Sequence, residues 1–171
     1  MTNVAIGLGA NLGEPVRQIK AAVHAMREHP SITVLDVSRF YCGPLMGSEG
    51  PLLNEPLCVN AALTANTTLS PNDLLKALKL LEKTLGRPDE HPRWSSRVID
   101  CDILLYGDKV VDEESLTLPH PGLTTRPFVL LPLAEIASDW QLPDGRRIDA
   151  LASVCSRDGF ELLKEEHEIN V

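Results

Sequence analysis

Two strand-like segments follow one another with no helix between them, and that gap narrows the folds open to this 171-residue chain. Ile32–Tyr41 is rich in β-branched and aromatic residues, and Leu57–Asn66 reads as a strand too. Between them runs Gly43–Pro56, a loop with Gly43, Pro44, Gly47, Gly50, Pro51 and Pro56, long enough to suggest a function. Strands joined without a crossover helix pair antiparallel.

The flanking elements complete a pattern. Asn3–Gly9 is apolar, bounded by glycines, and reads as a first strand; Glu14 and Pro15 then open a helix with Ile19, Ala22, Val23 and Met26 at helical spacing. The next helix is the clearest element. Ser70 caps it, Pro71 fits its first turn, and Asp73 stands at the capping-box position. Leu74, Leu75, Leu78, Leu81 and Leu85 form its apolar stripe, and Gly86 stops it. A polar loop, Pro88–Ser96, leads to a fourth strand, Val98–Tyr106. The order βαββαβ predicts an α+β fold, a ferredoxin-like antiparallel sheet with both helices on one face.

Beyond Asp108 the sequence offers a Pro-rich stretch, a Pro143-Asp144-Gly145 turn and a short helix from Ile148. There is no repeat, linker or low-complexity run. These residues read as a C-terminal elaboration of a single domain, 1–171, a length that suits one core better than two.

Composition excludes several partners. A net charge of −8 repels nucleic-acid phosphates. The start has no signal-peptide pattern, and apolar runs such as Phe128–Leu131 are far too short to span a bilayer, so a cytoplasmic chain without membrane or nucleic-acid partner is expected. Cys42, Cys58, Cys101 and Cys155 lack a Cys-x-x-Cys spacing, which argues against zinc and for reduced thiols, with a Cys42–Cys58 disulfide left open.

Asp100-Cys101-Asp102 is the sharpest chemical feature. Residues two apart on a strand face the same side, so both carboxylates project together while Ile99, Cys101 and Ile103 turn to the core. A hard divalent cation such as magnesium would relieve their repulsion; a solvated strand face is the plain alternative. Arg87, Arg93 and Arg97 lie just upstream and Arg126 follows. Any one of them could be an ordinary surface residue, but guanidiniums gathered beside paired carboxylates favour phosphate with metal. Trp94, in the same polar loop, either stacks on a flat ligand, closes the loop over a site, or anchors the loop structurally. His120 sits between Pro119 and Pro121, and nothing intrinsic gives it more than a structural role. Gly7-Leu8-Gly9-Ala10-Asn11-Leu12-Gly13 joins a strand to a helix but spaces its third glycine one residue late for a dinucleotide loop and lacks a P-loop lysine. Its glycines read as permitting a tight turn.

Taken together, these segments resemble the 6-hydroxymethyl-7,8-dihydropterin pyrophosphokinases of folate biosynthesis. The match runs from Ala5 to Gly13, through Asn60, Leu81-Glu82, Gly86-Arg87 and the block Arg93-Trp94-Ser95-Ser96-Arg97-Val98-Ile99-Asp100-Cys101-Asp102-Ile103-Leu104. It then continues at Leu118-Pro119-His120-Pro121 and from Arg126 to Leu133. The resemblance implies two magnesium ions held by Asp100 and Asp102, with ATP as co-substrate and AMP released as pyrophosphate moves to a pterin hydroxymethyl oxygen. It implies that Arg87 and Arg97 contact the phosphates, and that Glu82, Thr117, His120 and Arg126 surround ATP. Asn60 would bond the pterin edge and Phe128 stack on its face. Gly43, Pro44, Met46 and Cys58 would line the same pocket, and Trp94 would come from a loop that closes over both substrates. A monomer acting on small molecules is expected.

Three positions depart from the family pattern. Cys58 stands where Tyr or Phe usually completes an aromatic sandwich, which predicts pterin binding weaker by roughly 0.5–1.5 kcal/mol. Gly43 replaces the usual Thr before a proline, and Asp89 the usual Arg. The alternatives are a paralogous pyrophosphokinase with another flat acceptor, or a non-catalytic ferredoxin-like module that binds a small ligand. The second would have no use for Asp100 and Asp102 beside arginines. An RNA-binding version is disfavoured by the 4% aromatic content.

Overall fold

The computed structural model describes residues 1–47, 50–87 and 96–163. In chain order the elements are β1 (Thr2–Ala10), α1 (Pro15–Arg27), β2 (Ile32–Val37), β3 (Tyr41–Gly43), β4 (Leu45–Gly47), β5 (Gly50–Leu52), β6 (Cys58–Thr67) and α2 (Pro71–Thr84). These are followed by β7 (Asp100–Tyr106), β8 (Val111–Asp112), β9 (Thr117–Leu118), α3 (Pro127–Ile136), α4 (Ile148–Ser153) and β10 (Glu161–Leu162).

The main sheet runs β10-β3-β6-β1-β7, with β2 also paired to β6, and all its pairings are antiparallel. The expected antiparallel pairing of the second and third sequence strands is therefore present. Alternation on these strands builds two cores. Val4, Ile6 and Leu8 of β1, Val59, Ala61 and Leu63 of β6, and Ile99, Cys101 and Ile103 turn to the face covered by α1 and α2. Ala5, Ala62 and Leu104 turn to the opposite face, where Leu130 and Leu133 of α3 and Ile148 of α4 cover them. A register shift between Ala5 and Ile6 leaves Leu104 as an extra residue on β7. The bulge lets Leu104 and Leu105 both join the second core while Ile103 and Tyr106 join the first.

Helix α2 forms as its sequence predicts. Ser70 Oγ accepts from Asp73 N at 3.2 Å, Pro71 opens the first turn, and Gly86 takes the left-handed conformation with φ of 98°. Buried Leu74 and Leu78 carry the stripe into the core.

Four differences from the sequence expectation have local causes. The predicted second strand breaks after Val37, where buried Ser38 bonds Ala62 with both its N–H (2.8 Å) and its Oγ (2.9 Å), and the chain resumes as β3. The Gly43–Pro56 loop contains a small hairpin, β4 with β5, in which Leu45 pairs with Leu52. Pro127–Ile136 is a helix despite Pro132 within it. Its buried Leu130, Leu131 and Leu133 supply the apolar surface that holds it on the sheet. Finally, the C-terminal elaboration returns to the sheet through β10, pairing Glu161 with Cys42 and Leu162 with Tyr41. The Pro143-Asp144-Gly145 turn and the helix from Ile148 are as expected. All four cysteines are free, so Cys42 and Cys58 form no disulfide. Among the described residues no helix is long and apolar enough to cross a membrane.

Candidate active site

The face of the sheet toward α3 carries the polar side chains. In the register of β6, β1 and β7, Gly9 lies opposite Asn60 on one side and opposite Asp100 on the other, and Gly7 lies opposite Asp102. Gly7 and Gly9 stand inside β1 and not in a turn; only Gly13 of this segment has a positive φ, 63°. The turn reading therefore holds for Gly13 alone. A Cβ at Gly9 would come within 3.1 Å of Asn60 Oδ1, so the glycine keeps the floor between amide and carboxylates bare.

Asp100 and Asp102 share this face while Cys101 is fully buried on the other, as the alternation predicts. Asp100 is held between two guanidiniums, Arg87 Nη1 and Arg97 Nη1, each 2.5 Å from one carboxylate oxygen. Burial pushes its carboxyl up, but the Arg97 and Arg87 charges outweigh it and leave the carboxyl below the usual range. Asp102 behaves oppositely. Burial, and next the Asp100 charge, push it up to about 7. Its side chain is nonetheless 44% exposed, so the opening that leads to it is also a route for a cation. His120 Nε2 lies 3.9 Å from Asp102 Oδ2, and burial together with the Arg126 charge lowers the imidazole's pKa and favours its neutral form.

Glu82 comes from α2 on the far face and reaches around edge strand β7. It is 2% exposed, and its oxygens accept from Cys101 N at 2.7 Å, Arg87 Nη1 at 2.8 Å and Lys79 Nζ at 3.0 Å. The carboxylate thus closes a backbone N–H on an open sheet edge and fixes one guanidinium of the site. Sequence pattern alone assigns Lys79 no part, although it stands three residues before Glu82 on one helix face, and its charge is felt at both Asp100 and Asp102.

Asn11, within the matched Ala5–Gly13 segment, is a second residue to which the sequence assigns no role. It is 3% exposed, and its Oδ1 accepts from Arg97 N at 2.7 Å while its Nδ2 donates to Ser96 Oγ at 2.9 Å and Pro56 O at 3.3 Å. Its own N–H donates to Arg97 O at 3.0 Å. One amide therefore pins the backbone that carries Arg97 to the end of the Gly43–Pro56 loop. Only its place just past β1, at the strand-to-helix turn, could have suggested this.

At the other end of the cleft, Gly43 pairs directly with Cys58 and Tyr41 with Asn60. Asn60 is 8% exposed, and among the described residues its buried Nδ2 has no acceptor. A donor left so in a native fold asks for a ligand or water. Half-buried Phe128, near the start of α3, has Arg126 Cζ 5.9 Å from its ring centroid. Pro44 follows Gly43 and packs near Gly159, whereas half-buried Met46 sits in the hairpin opposite Pro51. Thr117 stands exposed on β9, paired through its backbone with Asp112, and the described contacts do not bring it to the carboxylates. Trp94, Arg93 and Asp89, with nearly all of the Pro88–Ser96 loop, lie outside the described residues.

Carboxylates flanked by guanidiniums, beside a bare floor with a buried amide donor, define the class of enzyme that handles a polyphosphate together with a small polar ring. Comparison with known proteins makes the class specific. The family model described as 7,8-dihydro-6-hydroxymethylpterin-pyrophosphokinase (HPPK) matches residues 5–138, and the chain belongs to that family. Relatives named 2-amino-4-hydroxy-6-hydroxymethyldihydropteridine pyrophosphokinase include that of Pseudomonas aeruginosa, 39% identical over 160 residues, which cover 94% of this chain and 96% of the relative. That of Bacillus subtilis is 38% identical over 171 residues, covering 99% and 96%. Among solved structures, Plasmodium falciparum HPPK-DHPS wild type with pterin and p-hydroxybenzoate superposes with a TM-score of 0.72 at 13% identity. The match covers 94% of this chain and 45% of that one, so the chain spans less than half of that protein and shares its fold over that part.

Proposed function

We infer that this protein transfers the pyrophosphoryl group of ATP to the hydroxymethyl oxygen of 6-hydroxymethyl-7,8-dihydropterin, releasing AMP, as a step of folate biosynthesis. The observation that carries the reading is the placing of Asn60 and Asp100 on either side of Gly9, an unsatisfied amide donor facing a carboxylate pair across a bare strand. The order β7-β1-β6-β2 with α1 and α2 on one face supports a ferredoxin-like core for the βαββαβ part.

The reaction forms a bond from the acceptor oxygen to the β-phosphorus, breaks the bond between that phosphorus and the oxygen bridging to the α-phosphate so that AMP leaves, and releases the hydroxyl proton to solvent. Such transfers depend on positioning and on offsetting charge more than on covalent work by the protein. Arg87 and Arg97 serve this end. Both are parked on Asp100, and the anchors at Glu82 and Asn11 hold them ready to meet a polyphosphate. Asn60 donates its free N–H to the heterocycle edge and Phe128 offers a ring face. Neutral His120 and Arg126 border the nucleotide side, with Glu82 acting through Arg87.

The residues present fit magnesium. Asp102 is a carboxylate whose raised pKa a cation would reverse, and Asp100 stands beside it. Among the described residues no group of three or more His, Cys, Asp or Glu side chains is placed to hold a metal. Two carboxylates suit an ion that completes its shell with phosphate oxygens and water. Bound there, magnesium would neutralise charge on the transferring phosphates; the reading takes two ions, a single domain over 1–171, and a cytoplasmic monomer.

The test is AMP formation from magnesium-ATP with and without the pterin, for the wild type and Asp102→Ala. Pterin-dependent AMP that is lost in the variant is expected. ATP binding without pterin-dependent AMP would refute the acceptor, and the altered-acceptor reading suggested by Gly43 and Cys58 would replace it.

A further inference from the structure

The C-terminal segment crosses the acceptor end of the cleft. Phe160 is 7% exposed, and its ring lies where a side chain at Gly43 would be, 2.2 Å from an ideal Cβ there, with Gly159 O at 2.9 Å. Its centroid is 5.7 Å from that of Phe128, with the rings tilted by 33°. Three features hold the ring in place. Phe160 N donates to Arg157 O at 3.0 Å, Leu163 N donates to Phe40 O at 3.0 Å, and β10 pairs with β3. Gly159, at φ of 78°, makes the bend that brings the segment down beside Pro44.

These contacts link two of the positions at which the sequence departs from the family pattern. Gly43 and Cys58 are direct partners across β3 and β6, so they share a face, and both are small. Between them they leave room where a threonine and an aromatic ring would stand. Phe160 fills the Gly43 side of that room. A threonine at position 43 could not coexist with the ring as placed, because even its first carbon would overlap it. The two rings are too close for a flat ligand to lie between them, since stacking on both sides needs roughly 7 Å between planes. Phe160 is therefore a lateral wall that braces Phe128.

We propose that Phe160 is a positioning residue of the acceptor pocket, fixing from the C-terminal segment the orientation of Phe128 for stacking on the pterin. The proposal rests on the pterin reading of the site.

Binding of 6-hydroxymethylpterin, followed by its own fluorescence, and of a non-hydrolysable ATP analogue with magnesium tests it in the full chain. Phe160→Ala is expected to weaken pterin binding about tenfold and ATP-analogue binding less than twofold. Phe160→Tyr is expected to retain pterin binding, and Phe160→Leu, which keeps apolar bulk and the fold, to lose nearly as much as the alanine variant. Gly43→Ala alone is expected to weaken pterin binding, and to cost less in the Phe160→Ala background, where the overlap with the ring is gone and only the 2.9 Å approach to Gly159 O remains. Wild-type pterin binding with unchanged affinity in Phe160→Leu would overturn the proposal alone, as would equal losses for both ligands or additive effects of the two substitutions. A wild type that binds the ATP analogue and not the pterin would overturn the pterin reading and this proposal with it.

Discussion

Replacing Glu82 measures how far one carboxylate organises the cleft. Its oxygens serve Cys101 N at 2.7 Å, Arg87 at 2.8 Å and Lys79 at 3.0 Å, from a position only 2% exposed. In Glu82→Ala the Cys101 N–H loses its acceptor, which costs about 1–3 kcal/mol for a buried donor. The Arg87 side chain, 9% exposed, loses a carboxylate partner, and removing one member of a buried pair costs about 3–5 kcal/mol. Lys79 is 46% exposed and adds less than about 1 kcal/mol. These terms meet at one carboxylate and do not add, so the expected loss is about 3–5 kcal/mol. Glu82→Gln keeps an oxygen for Cys101 and is expected to lose about 1.5–3 kcal/mol, the worth of a charge-assisted bond. Urea unfolding at unchanged m-value is the assay, with the loss read from the midpoint. A loss below about 1 kcal/mol in Glu82→Ala would refute the argument, because a carboxylate that merely lines the nucleotide side could be removed at that cost.

Other outcomes follow from the same geometry. Arg97→Ala removes the guanidinium held on Asp100 while leaving the Asn11 clamp on the backbone, and is expected to lower kcat about 10²–10³-fold, the usual effect of deleting one donor to developing charge; single-turnover AMP formation checks it. Gly9→Ala puts a methyl 3.1 Å from Asn60 Oδ1 and is expected to raise the pterin KM about tenfold, near 1.4 kcal/mol, with the ATP KM unchanged; an unmoved pterin KM would show that the floor is not used. Magnesium should compete with a proton at Asp102. Because its metal-free pKa is raised to about 7, the carboxyl becomes protonated as pH falls through 7, and magnesium affinity should fall up to tenfold per unit below that and level off above it. Titrations of magnesium with the ATP analogue at pH 6, 7 and 8 should show this proton release; a flat profile would remove Asp102 from the metal site.

Much of this was legible in the sequence because it depends on local period. Alternation on β7 put Asp100 and Asp102 on one face, and capping residues and a leucine stripe defined α2. The antiparallel pairing of β2 with β6 followed from the missing helix between them. What escaped notice depends on partners far along the chain. Helix α3 lacks a helical apolar period, since it is covered around much of its surface and carries Pro127 and Pro132, so it read as Pro-rich irregular structure. Gly9 looked like a turn residue because its neighbours Asn60 and Asp100 become adjacent only in the sheet register. Asn11, Lys79 and Phe160 each act through one contact network that sequence spacing does not reveal, and β10 is too short to signal a strand by itself.

The central claim is transfer of an intact pyrophosphoryl group to the pterin alcohol, and phosphorus NMR of the products addresses it most directly. With magnesium-ATP and 6-hydroxymethyl-7,8-dihydropterin, the account predicts AMP and a pterin diphosphate ester in equal amounts, with no ADP beyond a control lacking protein. ADP with a pterin monophosphate, or AMP formed equally well without the pterin, would contradict it.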